Sequence, residues 1–187
     1  LLFVTEESGI THSLNEGIAK EKIHFVGNCM IDSVKKFLQI ALDSKPWAKY
    51  NLSENDYCLI TMHRPSNVDS AENLNKLFDM LNSMSEKTKV VFPIHPRTKN
   101  TLQHANIQLC NDILLLDPLP YLEFIGLMSK AKVVVTDSGG IQEETTYLGV
   151  QCITVRENTE RPVTVDLGTN HLVVTDSGSV LNVFNTI

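Results

Sequence analysis

The sequence predicts an α/β protein built on a Rossmann-like parallel sheet with helices on both faces. Three observations lead there: short β-branched apolar runs recur along the 187 residues, segments of helical period fall between most of them, and the loops that join the two are short. A strand rich in Val, Ile and Leu without alternation is covered on both faces, and the intervening helices supply that cover.

In chain order, strands are expected at 1–5, 23–26, 57–61, 90–93, 113–116, 133–136, 152–155 and 171–174. The first opens directly as Leu1-Leu2-Phe3-Val4, and the helical pattern at 8–16 separates it from the second. A pattern at 29–41 follows Gly27-Asn28 and leads into a polar, Pro-containing stretch at 43–56. That stretch is the expected boundary: residues 1–42 read as the remnant of a first domain plus a connecting helix, and 43–187 as a nucleotide-binding domain. Helices at 71–85, 96–103, 121–129 and 141–148 then alternate with the remaining strands, and a last one begins after Asp176-Ser177. Two prolines in Asp117-Pro118-Leu119-Pro120 fix an extended entry into the helix at 121–129. Both ends of the chain read as cut, since it does not begin with Met and it stops within a helical pattern. There are no internal repeats and no low-complexity segments.

Composition narrows the function classes. A hydrophobic fraction of 42% and a charged fraction of 20% are ordinary for a globular protein. The net charge of −6 argues against a nucleic-acid partner, because backbone binding relies on clustered Lys and Arg. No apolar run reaches the ~18 residues of a membrane span, and no secretory signal opens the chain. Cys29, Cys58, Cys110 and Cys152 are far apart, without a CxxC pair, and read as reduced core thiols of a cytoplasmic protein. No metal-ligand spacing is visible.

The most informative segment is Thr136-Asp137-Ser138-Gly139-Gly140-Ile141-Gln142-Glu143-Glu144. It follows the β-branched run Val133-Val134-Val135 and opens an amphipathic segment that ends at Gly149, so the order is strand, glycine turn, helix. Adjacent glycines admit close approach of a ligand, and the first-turn amides of the helix have no partner inside it. Such a terminus suits phosphate. Glu144 lies about one turn beyond Gly140, within reach of the hydroxyls of a ribose whose phosphate the turn holds. A plain βα turn with an N-cap serine accounts for the same string without a ligand.

In open parallel sheets ligands bind beyond the carboxyl ends of the strands. Three such places carry matching chemistry: His63-Arg64-Pro65 after 57–61, His95-Pro96-Arg97 after 90–93, and Arg156 to Arg161-Pro162 after 152–155. Together they would make a locally positive crevice in an acidic protein. His63 can donate to a phosphate oxygen or pass a proton to a leaving group. Arg97 also fits a solvated helix start, and Arg156 a surface partner of Glu157. Phe124 fits an ordinary core aromatic, and the loop before it leaves main-chain groups to read a nucleobase.

His63-Arg64-Pro65, Ser138-Gly139-Gly140-Ile141-Gln142-Glu143-Glu144, Thr159-Glu160-Arg161-Pro162 and Gly27-Asn28 before Ile31-Asp32 resemble the non-hydrolysing UDP-N-acetylglucosamine 2-epimerases, in order and through essentially the whole chain. The resemblance implies the second domain of a GT-B arrangement. It implies a reaction in which UDP is eliminated across C1 and C2 of the sugar and added back with C2 inverted, without nicotinamide or metal. By the same resemblance Ser138, Gly139 and Gly140 hold the diphosphate, Glu144 the ribose, and the backbone at Leu119 and Phe124 the uracil. His63 stabilises the departing UDP and Arg161 completes the pocket. In some members a histidine at the position of His95 contributes to a second, regulatory substrate molecule. The family's acid and base carboxylates stand in the first domain, so this chain is expected to be inactive alone, and its parent to be a homodimer. A GT-B glycosyltransferase, or an epimerase of a 2,3-diacetamido UDP-sugar, would use the same UDP contacts.

Overall fold

The computed structural model describes residues 1–104, 107, 109–174 and 176–187, with the side chains at 66, 97, 103 and 104 also outside the description. The chain runs β1 (Leu2–Val4), α1 (Glu7–Asn15), a 3-10 turn (Lys20–Lys22), β2 (Ile23–Phe25), α2 (Cys29–Asp43), α3 (Pro46–Lys49) and β3 (Tyr57–Thr61). It continues through α4 (Pro65–Val68), α5 (Ala71–Ser85), β4 (Lys89–Pro93), α6 (Pro96–His104), β5 (Ile113–Leu116), α7 (Tyr121–Ser129) and β6 (Val133–Thr136). The last elements are α8 (Gly139–Leu148), β7 (Gln151–Val155), α9 (Pro162–Asp166), β8 (Asn170–Val173) and α10 (Ser177–Phe184). Each expected strand and helix is present, its described ends within about two residues, the usual uncertainty of such boundaries.

Three helices of four or five residues, α3, α4 and α9, stand where the sequence reads as loop. Each begins on a proline at its first positions, where the fixed φ suits a helix and the missing N–H has no partner to lose. They are too short to show a period. The stretch containing α3 is packed rather than a bare linker: Pro46, Trp47 and Leu52 are buried. Gly126 of α7 makes this possible, since a Cβ there would come within 2.6 Å of Pro46 Cγ.

The strands form two parallel sheets, β1 with β2, and a six-stranded sheet of order β5-β4-β3-β6-β7-β8. The chain builds outward from β3 to β5, then returns to lay β6 against the other side of β3, pairing Cys58 with Val133 and Thr61 with Thr136. The topological switch point therefore lies between β3 and β6.

Residues on β3 alternate between the two sheet faces although all but Thr61 are buried. Cys58 and Ile60 join the core under α5 and α10 with Phe78, Phe92 and Val180. Tyr57 and Leu59 join the core under α2, α3 and α7 with Trp47, Ile125 and Met128. Each large aliphatic side chain so buried contributes roughly 1.5–3 kcal/mol. Helix α2, capped by Asn28 accepting from the Met30 amide, contacts α7 and α8.

All four cysteines are free thiols, as expected, but only Cys58 and Cys152 are in the core. Cys29 and Cys110 are exposed: Cys29 begins α2 on its solvent side and Cys110 sits in the loop before β5, so the apolar neighbours in sequence are not neighbours in packing. Among the described residues no helix is long and apolar enough to cross a membrane, and no His, Cys, Asp or Glu cluster could hold a metal ion.

Candidate functional site

A crevice of about 310 Å³ opens beyond the carboxyl ends of β3 and β6, lined by Thr61, His63, Pro93, His95, Pro118, Leu119, Phe124, Ser138 and Ile141. The fold thus brings together His63, His95, Leu119 and Ser138, from four separate strand-to-helix connections, with Phe124 of the first turn of α7. Gly139, Gly140, Glu144 and Arg161 do not line it. The side chain of Arg97 lies outside the described residues.

Its organising group is Asp137, fully buried at the end of β6. The Asp137 carboxylate accepts from the amides of His63 and Arg64 at 3.0 and 2.9 Å and from Asn67 Nδ2 at 2.9 Å. His63 Nδ1 lies 2.8 Å from Asp137 Oδ1 while the imidazole remains 62% exposed. Nδ1 is therefore the protonated nitrogen of the neutral ring, the tautomer being assigned from this partner, and Nε2 is left for the crevice. Arg64 is spent on the same junction, its Nε donating to the Asp137 carbonyl at 3.0 Å. Sequence reasoning missed Asp137 as a functional residue. The available signal was an acid directly after the central strand Val133–Thr136, where a charge must be heavily hydrogen-bonded to be buried.

The glycine turn is held from beneath. Thr136 Oγ1 accepts from the Ser138 amide at 3.0 Å and lies 2.6 Å from Thr61 Oγ1, which ties the turn to β3. The Ser138 amide is thereby used, and those of Gly139 and Gly140 remain as the first-turn donors of α8. The two glycines also admit protein: a Cβ on Gly139 would meet Glu160 Oε1 at 2.5 Å, and one on Gly140 would meet Met30 Cε at 3.0 Å.

Glu144 is buried on α8, 3% exposed, and no hydrogen bond to it is found among the described residues. Burial, and next the Glu143 carboxylate, push its carboxyl up to about 7. The phenol of Tyr121 is raised by its own burial and then by the Glu144 charge. A buried carboxyl without a donor is a group for which a ligand hydroxyl would be a large gain.

Across the crevice Phe124 is half-buried against the second core, and its amide donates to the Pro120 carbonyl at 2.9 Å. That amide closes the first turn of α7, so what Phe124 offers to a ligand is its ring; the main chain at 118–119 lies ahead of the helix.

Arg161 lines a second cavity of about 370 Å³ with Phe3, Glu6, His12, Thr159 and Glu160, between the β1–α1 junction and the loop before α9. Its Nε is 2.9 Å from Glu143 Oε2 and its Nη1 3.8 Å from Glu6 Oε1. Arg156 is not a surface partner of Glu157: its side chain is 10% exposed and Nη1 lies 2.7 Å from Glu160 Oε2. Arg156 and Arg161, two of the arginines expected to make the crevice positive, are thus neutralised by carboxylates.

A buried polar network joins the two cavities. Gln142 Nε2 donates to the Ser138 carbonyl at 3.1 Å, while its Oε1 accepts from Thr159 Oγ1 at 2.6 Å and Asn170 Nδ2 at 3.0 Å. Thr159 Oγ1 accepts in turn from the Arg161 amide at 2.9 Å. The glycine turn and the Thr159–Pro162 loop are therefore braced against one side chain.

Comparison with known proteins adds an independent line. The family model described as UDP-N-acetylglucosamine 2-epimerase matches residues 1–187. A UDP-N-acetylglucosamine 2-epimerase of Methanococcus maripaludis is 41% identical over 97% of this chain, which spans 52% of that protein. The crystal structure of the Methanocaldococcus jannaschii UDP-GlcNAc 2-epimerase in complex with UDP-GlcNAc and UDP superposes with a TM-score of 0.88 at 38% identity, covering 99% of this chain and 53% of that one. An Escherichia coli heptosyltransferase shares the fold alone, with a TM-score of 0.53 at 15% identity over 71% of this chain and 44% of that one. The chain spans about half the length of the curated relatives it matches.

Proposed function

The chain belongs to the UDP-N-acetylglucosamine 2-epimerase family, and from that premise we propose that it is the UDP-binding half of a non-hydrolysing epimerase that interconverts UDP-GlcNAc and UDP-ManNAc. The observation that carries the reading is the pairing, at the switch point, of the phosphate-competent head of α8 with a histidine whose ring is held by a buried aspartate. Elimination of UDP from C1 and C2 of the sugar places an added negative charge on the departing diphosphate. The Gly139 and Gly140 amides lie at the helix terminus that stabilises such charge, and His63, when doubly protonated, adds a proton donor to it. Asp137 keeps that imidazole oriented, and re-addition of UDP uses the same groups in reverse. Leu119 and Phe124 bound the uracil side, and Glu144 accepts from the ribose hydroxyls. Arg161 stands on the sugar side, with the Glu6 and Glu143 carboxylates beside it.

The carboxylates that deprotonate and reprotonate C2 are proposed to belong to the first domain, so that this chain binds nucleotide without turning over. Domain limits at 1–42 and 43–187 and a homodimeric parent are part of the same proposal. Calorimetry of UDP with this chain and with Glu144→Ala tests it: binding that weakens by more than about 1 kcal/mol in the variant supports a ribose-reading nucleotide site. No binding by a folded chain, or epimerisation by this chain alone, would sink it.

A further inference from the structure

We propose that Arg156 is a ligand of the diphosphate, and that Glu160 holds its place by standing where a phosphate group will sit. This deepens the nucleotide reading above and rests on it.

Arg156 leaves the end of β7, and its guanidinium is nine-tenths buried. Nη1 is 2.7 Å from Glu160 Oε2, yet that buried nitrogen makes no aligned hydrogen bond. The pair is held by charge, with donor capacity left over. The other oxygen of Glu160 lies 2.5 Å from the place a Cβ would take on Gly139, and Arg156 Nη1 lies 3.9 Å from the same place. A carboxylate is thus poised between a guanidinium and the head of the ten-residue helix α8. Its oxygens bring to that place the negative charge that a phosphate would bring to the same two partners.

The two members of the pair differ in freedom. The Glu160 side chain is half-exposed, 49%, so it can swing into solvent, whereas Arg156 is enclosed. Leaving a buried guanidinium without an anion is costly, so Glu160 departs only as another anion arrives. A diphosphate carries more charge than the carboxylate and offers more acceptors. The exchange therefore favours diphosphate, and it explains a glycine at 139 whose φ is not positive: the space above it is kept for an anion.

Calorimetry with UDP and with uridine, which lacks the diphosphate, tests this on the parent chain, Glu160→Gln and Arg156→Gln, each verified as folded by circular dichroism, with Arg156→Lys standing in if Arg156→Gln does not fold. We expect Glu160→Gln to bind UDP at least about threefold more tightly and Arg156→Gln at least about tenfold more weakly, with uridine affinity unchanged in both. Arg156→Gln binding UDP as the parent does, weaker UDP binding by Glu160→Gln, or equal effects on UDP and uridine would each overturn the inference and mark the pair as a brace for the loop. A parent chain that binds no UDP would instead remove the nucleotide reading, and this inference with it.

Discussion

The crevice at the switch point and the cavity lined by Arg161 handle charge in opposite ways. In the crevice at the switch point, a fully buried acid holds a histidine that is mostly exposed, so the functional atom faces outward and its support is hidden. Around the cavity beside β1 and α1, Arg161 is ion-paired with Glu143 and Glu6 and Arg156 with Glu160, and positive charge reaches a ligand only by displacing a carboxylate. The first arrangement is preorganised and the second is an exchange. The same net charge of −6 is therefore compatible with an anion site, because the protein supplies its own anions until a ligand replaces them.

The contrast breaks most sharply at Asp137. Asp137→Ala strands the His63 and Arg64 amides and the Asn67 amide nitrogen, and a loss of about 3–5 kcal/mol in urea unfolding is expected. A loss below about 1 kcal/mol would mean that the junction is not held from within. Next in size is the comparison of His63→Ala with Arg161→Met in UDP binding. The first removes a donor to a charged group and should cost about 1.5–3 kcal/mol, while the second removes a cation already balanced by Glu143 and should cost under about 1 kcal/mol. Equal losses would erase the distinction between the cavities.

Glu144 sharpens the comparison through pH. Its folded-state value of about 7 exceeds its ordinary value of 4.5, so the folded chain holds the extra proton. Stability from this group is present below pH about 4.5 and is lost as pH rises toward 7. Relative to Glu144→Gln, the Tm of the parent should fall across that window. Ribose hydroxyls favour the carboxylate, so UDP affinity of the parent should rise with pH up to about 7 more steeply than that of Glu144→Gln, which also carries the titration of UDP itself. Parallel profiles would separate Glu144 from the ligand. The smallest effect is expected for Gly139→Ala: the clashing atom is the far end of Glu160, and alanine favours a helix, so thermal unfolding should shift by less than about 1 kcal/mol.

Most of the fold was legible because buried parallel strands and amphipathic helices leave periodic signals. The three proline-led helices were not, being shorter than any period, and the packing of Pro46, Trp47 and Leu52 depends on Gly126, 74 or more residues away. At the site, His63 and Ser138 could be placed by the rule that ligands gather beyond strand ends. Asp137 could not be separated from the turn it precedes, and Arg156 read as a surface residue because its partner and its burial are set by the following loop.

By itself the sequence determined the α/β class, the order of strands and helices, the glycine turn at the head of α8 and the family resemblance, since each is written in local chemistry or in a contiguous motif. Tertiary structure alone decided which strand-end residues share one crevice, which carboxylate supports His63, and which arginines are already neutralised. Those outcomes depend on the lateral order of six strands and on burial, and neither is a property of any local stretch of chain.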